Sequence, residues 1–456
     1  MKNKDYGGYP EDIASLLREK NIKIEDRVRI EKEGRVYEGY LLPRPALVDL
    51  GDPYCLIIKL DSGYNIGVKY DESMKIDRVG KKIELESFPK RKIEKRKDLP
   101  QITLLHTGGT IASRIDYLTG GVSVEFTPEE LFYTVPELFD IVGFRDVKLL
   151  FNVFSEDMFL TQWKEMAKET AKQLNSGADG VVISHGTDTM HYSSAILSFM
   201  LQNLGKPVVL TGAQRSSDRG SFDGAINLIC SSYVAGHSDI AEVSVVMHGE
   251  TSDTFCLINR GTKVRKMHTS RRDAFRPIND LPIGKIWPDG SLEIINKNYR
   301  KRDKDREVIP DTKYEEKVAL IKAYPGSFPG IVDFYVDKKF KGLVIEGTGL
   351  GHVPTSTPEK ERSWLENIKR AIEEDLKIVM TSQCLYGRVH PLVYRNLRLL
   401  SSAGVIYVED MLPEVAYVKL SWVLGHTEDR EEVRNLMLKN IAGEISETSD
   451  FRSFLY

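Results

Sequence analysis

A chain of 456 residues with a formal net charge of −3 is long enough for two or three domains that each bury a core. Its slight acidity gives no overall field for nucleic acid, and its apolar runs are too short for a signal peptide or a membrane span. The four cysteines (Cys55, Cys230, Cys256 and Cys384) lack zinc-site spacing. We therefore expect a cytoplasmic protein with reduced thiols.

The first part of the chain, residues 1–95, has the pattern of a small β-rich domain. An amphipathic helix is predicted over Glu11–Lys20, and Asp61-Ser62-Gly63 is a hairpin turn signal. Short apolar runs that predict strands lie at 27–30, 36–41, 54–60 and 64–68. We predict an SH3-like β-barrel here, and such barrels are usually interaction modules.

A basic run, residues 90–97, follows this unit. Its Lys and Arg side chains could contact RNA phosphates. The alternative is a solvated linker, which we favour because charge runs commonly mark linkers.

Residues 98–296 alternate between strand and helix patterns, which predicts a doubly wound parallel sheet. A buried strand over 102–105 runs into Gly108-Gly109 and Thr110. A second, over 180–184, runs into Thr187 and Asp188. Because open α/β sheets bind ligands at the carboxyl ends of their strands, two hydroxyls and an acid at two strand ends predict a site there.

Further elements complete the prediction. Helices are predicted over 129–135 and 161–175, and strands over 207–211 and 243–248. The charged stretch 297–317 predicts a linker, residues 318–441 repeat the α/β alternation, and 442–456 form a tail.

Two segments carry a resemblance to a known family. Thr107-Gly108-Gly109-Thr110-Ile111-Ala112 and His185-Gly186-Thr187-Asp188-Thr189 resemble the signature segments of the bacterial-type L-asparaginases, which are threonine-dependent amidohydrolases. The resemblance implies an asparaginase-like fold of two α/β domains: a doubly wound parallel sheet, then a smaller C-terminal domain. Here the β-barrel precedes both.

The resemblance also implies roles. Thr110 is the first nucleophile candidate, and Thr187, Asp188 and Lys266 form a Thr-Asp-Lys triad, with Asp188 also pairing with the substrate α-ammonium. Which threonine attacks first stays open. Amide hydrolysis needs a base for the hydroxyl, and a lysine can serve where burial and neighbours lower its pKa.

Three more residues are substrate-binding candidates by the same resemblance. Ser155 and Glu156 match the family's site for the substrate α-carboxylate, where a hydroxyl and backbone N–H groups can bind it; Ser155 could also be a helix N-cap. Tyr117 matches a tyrosine on the family's mobile lid, although an ordinary loop tyrosine is the alternative.

No cofactor is expected in this chain. His185, His191 and His248 are not at metal-ligand spacing, and no phosphate-binding motif follows Gly108-Gly109. We therefore expect neither a metal nor a nucleotide site.

The β-rich unit ahead of the asparaginase-like part, with segments 154–158 and 347–354, resembles the family of D-type subunits of the archaeal Glu-tRNA(Gln) amidotransferase. This implies a glutaminase-type chain that releases ammonia from glutamine or asparagine. A partner, the E-type subunit of the same enzyme, would bind Glu-tRNA(Gln) and use ATP and Mg²⁺. Two copies of each chain would form a heterotetramer. A free-standing asparaginase and a catalytically idle scaffold are the alternatives.

Overall fold

The structure is a computed structural model that describes residues 6, 8–44, 52–62, 64–80, 96–109, 113–115, 122–124, 135–217 and 220–456. Thr110, Tyr117, most of the basic run 90–97 and residues 129–134 of one predicted helix lie outside the described residues. Within the described ranges, no helix combines the length and apolarity needed to cross a bilayer.

The first unit is a small antiparallel sheet with one helix. Helix α1 (Glu11–Glu19) buries Ile13, Ala14 and Leu17, which share one face at helical spacing. The five strands are β1 (Arg27–Lys32), β2 (Arg35–Leu41), β3 (Cys55–Lys59), β4 (Asn65–Lys69) and β5 (Lys75–Gly80), in the order β4-β3-β2-β1-β5. The predicted β-rich unit is confirmed. It touches the next unit where Tyr64 Oη lies 2.9 Å from Ser221 Oγ.

The second unit is built on an eight-stranded sheet in the order β18-β17-β14-β13-β12-β10-β6-β9. Its strands are β6 (Gln101–His106), β9 (Gly143–Leu149), β10 (Gly180–Ser184), β12 (Val208–Thr211), β13 (Val243–His248), β14 (Cys256–Arg260), β17 (Gly284–Ile286) and β18 (Leu292–Ile294). Small two-stranded pieces are β7 (Ser113–Ile115) with β8 (Val122–Val124), and β15 (Val264–Lys266) with β16 (Phe275–Pro277).

The central strands of this sheet are parallel, as predicted. Strands β13, β12, β10, β6 and β9 run parallel, whereas β14, β17 and β18 extend one edge antiparallel. The antiparallel edge was not part of the sequence prediction. Every residue of β10 is buried, as expected for a strand covered on both faces.

Helices cover both faces of the large sheet. Its helices are α2 (Leu138–Ile141), α3 (Leu160–Asn175), α4 (Met190–Met200) and α5 (Gly224–His237). Because side chains alternate along a strand, Val181 and Ile183 pack into one core with α3 and α4, and Val182 packs into a second core with α2 and α5. The doubly wound arrangement is therefore confirmed.

The third unit is a smaller parallel sheet. Its strands are β20 (Val318–Lys322), β21 (Gly342–Gly347), β22 (Lys377–Ser382) and β23 (Ile406–Tyr407), in chain order across the sheet. Its helices are α6 (Gly330–Asp337), α7 (Leu365–Glu373), α8 (Arg395–Ala403), α9 (Pro413–Leu424) and α10 (Arg430–Leu438). Helix α9 packs on α4, so the two α/β units share one hydrophobic core.

The charged stretch 297–317 packs on the second unit. Within it, β19 (Ile309–Pro310) pairs with β11 (Leu201–Gln202). The Arg302 guanidinium donates to the carbonyl oxygens of Ser238 and Asp179, each at 2.8 Å. Few apolar side chains are needed here because backbone carbonyls and arginine supply the contacts.

Candidate active site

Two strand ends and a third loop meet at the carboxyl edge of the large sheet. Strands β6 and β10 are paired neighbours, so the residues after His106 and Ser184 emerge side by side. A Cβ on Gly109 would lie 2.5 Å from the Gly186 Cα, and one on Gly108 would lie 2.4 Å from the Val153 oxygen. Both glycines also have positive φ angles, +104° at Gly108 and +87° at Gly109, so this close approach requires glycine. The next residue, Thr110, lies outside the described residues.

Lys266 joins the two residues at the tip of β10. Its Nζ donates to Thr187 Oγ1 at 2.9 Å and to Asp188 Oδ1 at 2.6 Å. The Lys266 side chain is 9% exposed and that of Asp188 is 65% exposed, so the carboxylate faces solvent while the ammonium is enclosed. The structure thus brings together three of the four residues predicted to be catalytic.

The turn that contains Thr187 is stabilised by hydrogen bonds of a buried histidine, His185. His185 Nδ1 donates to the Gly186 carbonyl at 2.6 Å, and its Nε2 accepts from the Ser193 hydroxyl at 2.8 Å. The indole N–H of Trp163 donates to the same Ser193 oxygen at 2.9 Å. Burial lowers the pKa of His185 to about 4, so the ring is neutral and both nitrogens are used.

The other two histidines considered as ligands also have protein partners nearby. His191 Nε2 lies 4.0 Å from Glu414 Oε1, and burial lowers the pKa of His191 to about 3. His248 Nε2 lies 2.9 Å from Asp253 Oδ1. Among the described residues, no group of three His, Cys, Asp or Glu side chains could hold a metal ion.

The predicted substrate-binding pair lies beside the β10 tip. Ser155 is buried, and its Cβ lies 2.8 Å from where a Cβ on Gly186 would be. The Thr189 hydroxyl donates to the Ser155 carbonyl at 2.6 Å, which fastens the two loops together. Glu156 is exposed beside it. The N-cap alternative for Ser155 is wrong, because Ser155 begins a single 3-10 turn whose N-cap is Phe154.

Lys266 lies at the end of β15, whose hairpin with β16 is tied to the neighbouring loops. Arg215 donates to the Ser270 carbonyl at 2.6 Å, and Arg272 donates to Asp253 at 2.7 Å. The loop that carries Arg215 is itself fixed, because the Asp223 carboxylate accepts the Gln214 and Arg215 backbone N–H groups. Sequence analysis assigned no role to Arg215 or Asp223.

A cavity of about 800 Å³ lies elsewhere, at the opposite edge of the large sheet. Its charged lining includes Glu242, Arg260 and Asp280, and it contains none of the predicted site residues. Arg260 is paired with both acids, at 2.9 and 3.0 Å. Arg260 therefore offsets part of the negative charge of the two acids within the wall.

Comparison with known proteins first gives the class. Residues 101–300 match the family "Asparaginase, N-terminal", and residues 317–437 match "Glutaminase/Asparaginase C-terminal domain". The L-asparaginase from Thermococcus kodakarensis superposes with a TM-score of 0.67 at 29% identity, over 76% of this chain and 100% of that one. L-asparaginase I from Vibrio cholerae gives 0.64 at 29% identity, over 76% and 99%. The two α/β units are therefore of the asparaginase type.

The first unit and the full-length relatives show which family of asparaginase-type proteins the chain resembles. Residues 22–79 match the "GatD N-terminal domain". The D-type subunit of glutamyl-tRNA(Gln) amidotransferase from Pyrococcus abyssi is 56% identical over 97% of this chain and 99% of its own length. The D-type subunits of Pyrococcus furiosus (57%; 97% and 99%) and Methanopyrus kandleri (48%; 96% and 94%) are similarly related. The chain belongs to the family of D-type subunits of glutamyl-tRNA(Gln) amidotransferase.

Proposed function

We propose that this chain is the glutaminase-type subunit of a tRNA-dependent amidotransferase, and that it releases ammonia from glutamine or asparagine. The observation that carries the proposal is Lys266 Nζ within hydrogen-bond distance of both Thr187 and Asp188 at the carboxyl edge of an asparaginase-type sheet. A hydroxyl beside an enclosed amine and a carboxylate has the parts of an activated nucleophile.

In the proposed chemistry, a threonine hydroxyl attacks the side-chain amide carbon of the substrate. Neutral Lys266 takes the hydroxyl proton, the C–N bond breaks, and ammonia leaves with the proton it needs. The ester formed with threonine is then hydrolysed by water, which returns glutamate or aspartate and restores the hydroxyl. Thr110 and Thr187 both remain candidates for the first attack.

Substrate recognition is proposed to use the two ends of the amino acid. The exposed carboxylate of Asp188 is suited to pair with the α-ammonium group. The buried Ser155 beside Gly186, with nearby backbone N–H groups, is suited to the α-carboxylate, and Glu156 lies at the rim. Tyr117 is proposed to close over the amide.

We further propose that the ammonia serves a partner that converts Glu-tRNA(Gln) to Gln-tRNA(Gln). The name of the relatives supports a complex of several subunits. The partner would be the amidotransferase's E-type subunit, which would hold the tRNA and use ATP and Mg²⁺, whereas this chain would need no cofactor. Two copies of each would form the heterotetramer, in the cytoplasm where tRNA is used.

The test measures ammonia release by the purified chain from glutamine and from asparagine. The E-type partner, ATP and Glu-tRNA(Gln) are then added at constant enzyme concentration. We expect slow release alone, and faster release with Gln-tRNA(Gln) formation in the complete mixture. Full-rate asparagine hydrolysis that ignores both partner and tRNA would favour the free-standing asparaginase instead. No ammonia from either amide under any condition would favour the idle scaffold.

A further inference from the structure

Lys266 is flanked by an ion pair that joins the two α/β units. Arg265 precedes it on β15, and successive side chains of a strand point to opposite sides. Arg265 Nε lies 3.6 Å from Glu414 Oε1, in the first turn of α9. The Glu414 side chain is only 2% exposed, so this is a carboxylate enclosed at the junction of the units.

A third side chain faces the same carboxylate without neutralising it. His191, in the first turn of α4, places its Nε2 4.0 Å from Glu414 Oε1. Burial is the main reason that the pKa of His191 falls to about 3, and the positive charges of Arg265 and Lys266 lower it further. His191 is therefore neutral, and the cation set against Glu414 at this junction is Arg265.

We propose that the Arg265–Glu414 pair positions Lys266 and sets the pH above which Lys266 accepts the threonine proton. Glu414 and Arg265 are thus positioning residues, and the inference rests on the proposed function, in which Lys266 is the base. Two effects contribute. The pair fixes the side of β15 on which Lys266 emerges, and it keeps the net charge beside the amine close to zero.

Several groups around Lys266 and around the neighbouring Arg265–Glu414 pair bear on this pH dependence. They are Asp188 and His185 in the loop after β10, His191 and Tyr192 on α4, Arg265 on β15, Glu414 and Tyr417 on α9, and Glu346 at the end of β21. Burial keeps the two histidines neutral, and it raises the pKa of Tyr192 to about 12. The field around the amine therefore comes from the carboxylates and Arg265, while the histidines and Tyr192 are uncharged.

The sign of each perturbation follows from this charge set. Glu414→Gln leaves the Arg265 cation unbalanced, which disfavours a protonated Lys266. Arg265→Gln leaves a carboxylate unbalanced, which favours it. Burial raises the pKa of Glu414, but a carboxyl group is still ionised at the alkaline pH at which an amine loses its proton.

The experiment records kcat/KM for glutamine against pH, in the amidotransferase complex. The acid limb should move down by about one pH unit in Glu414→Gln and up by about one unit in Arg265→Gln. In the double variant it should return close to the wild-type position, because both charges are gone. The change should appear in kcat, with KM for glutamine little altered.

A second ion pair joins the same two segments of the chain and provides a matched control. Lys263 Nζ lies 2.7 Å from Asp410 Oδ2, just before β15 and α9 respectively, and both side chains are buried. Asp410→Asn should lower the thermal midpoint and leave the acid limb where it is. This variant therefore shows the effect of losing stability at this junction without changing the charge beside Lys266.

The outcomes separate this inference from the proposed function. If Lys266→Met keeps its activity, the proposed function itself fails. If the single variants are active but their acid limbs coincide with that of wild type while their midpoints fall, the pair is only structural and the inference is overturned. Arg265 is one-third exposed, so Arg265→Gln decides the question if Glu414→Gln does not fold.

Discussion

Replacing Lys266 by methionine should remove catalysis while leaving the fold intact. The amine donates to Thr187 at 2.9 Å and Asp188 at 2.6 Å, so Lys266→Met deletes the proposed base and the link between the two residues. A positioned general base contributes about 10²–10⁴-fold, and we expect kcat/KM for glutamine to fall about 10³-fold. That factor corresponds to about 4 kcal/mol of transition-state stabilisation.

The same substitution should change stability little. Methionine fills the volume of the lysine stem, and the partner left behind, Asp188, has a side chain that is 65% exposed. Water can solvate that carboxylate, so the lost pair is worth less than about 1 kcal/mol.

Replacing Lys263, three residues earlier, should instead cost stability. Its side chain is 1% exposed and its partner Asp410 2% exposed, at 2.7 Å. Lys263→Met would leave Asp410 buried with the Ser446 N–H as its remaining described donor. Breaking one side of a buried pair costs about 3–5 kcal/mol. We therefore expect a clear drop in the thermal midpoint, with kcat of the folded protein little changed.

The assay pairs ammonia release with thermal melting for both variants. The reasoning is refuted if Lys266→Met retains more than about a tenth of the wild-type kcat/KM, far above the expected range. It is also refuted if the two variants lose stability equally, because burial would then not decide the cost.

Other predictions concern the strand tips and the buried histidines. Thr187→Ala should lower ammonia release by about 10³-fold, and a Thr110→Ala/Thr187→Ala double variant should be little slower than either single one, as steady-state kinetics will measure. Asp188→Asn should raise KM for glutamine as well as lower kcat, because it loses the charge proposed to pair with the α-ammonium. Burial lowers the pKa of His106 and His185 to about 4, so the unfolded chain binds protons that the folded chain does not. Thermal midpoints should therefore be highest above the usual histidine value of 6.5 and fall towards pH 4, less steeply in His185→Asn; a pH-independent midpoint would contradict this.

The apolar runs in the sequence were sufficient to predict the central strands of the large sheet. The apolar runs ending at Ser184 and His106 are buried parallel strands, because such runs suit strands covered on both faces. Two of the three antiparallel edge strands, β17 and β18, were missed because each has only three residues. The stretch 297–317 was predicted to be a linker from its charge, which cannot reveal that Arg302 caps backbone carbonyls of the second unit.

Some residues of the candidate site could likewise be predicted from local sequence, and others could not. Thr187 and Asp188 are adjacent at a strand tip, so sequence alone placed them together. Lys266 is 79 residues beyond Thr187, and only family resemblance selected it over Lys263. No local pattern marks Glu414, because its place opposite Arg265 depends on how α9 packs against α4.

Strand β15 and the residue just before it contact both α/β units, and they include the proposed base. Lys263 and Arg265 reach acids of the third unit, at 2.7 and 3.6 Å, while Lys266 reaches the tip of β10 in the second. A shift of α9 relative to α4 would therefore be transmitted to Lys266 through one residue of β15. Since α9 follows the carboxyl edge of the smaller sheet, contacts made there have a short physical path to the proposed base.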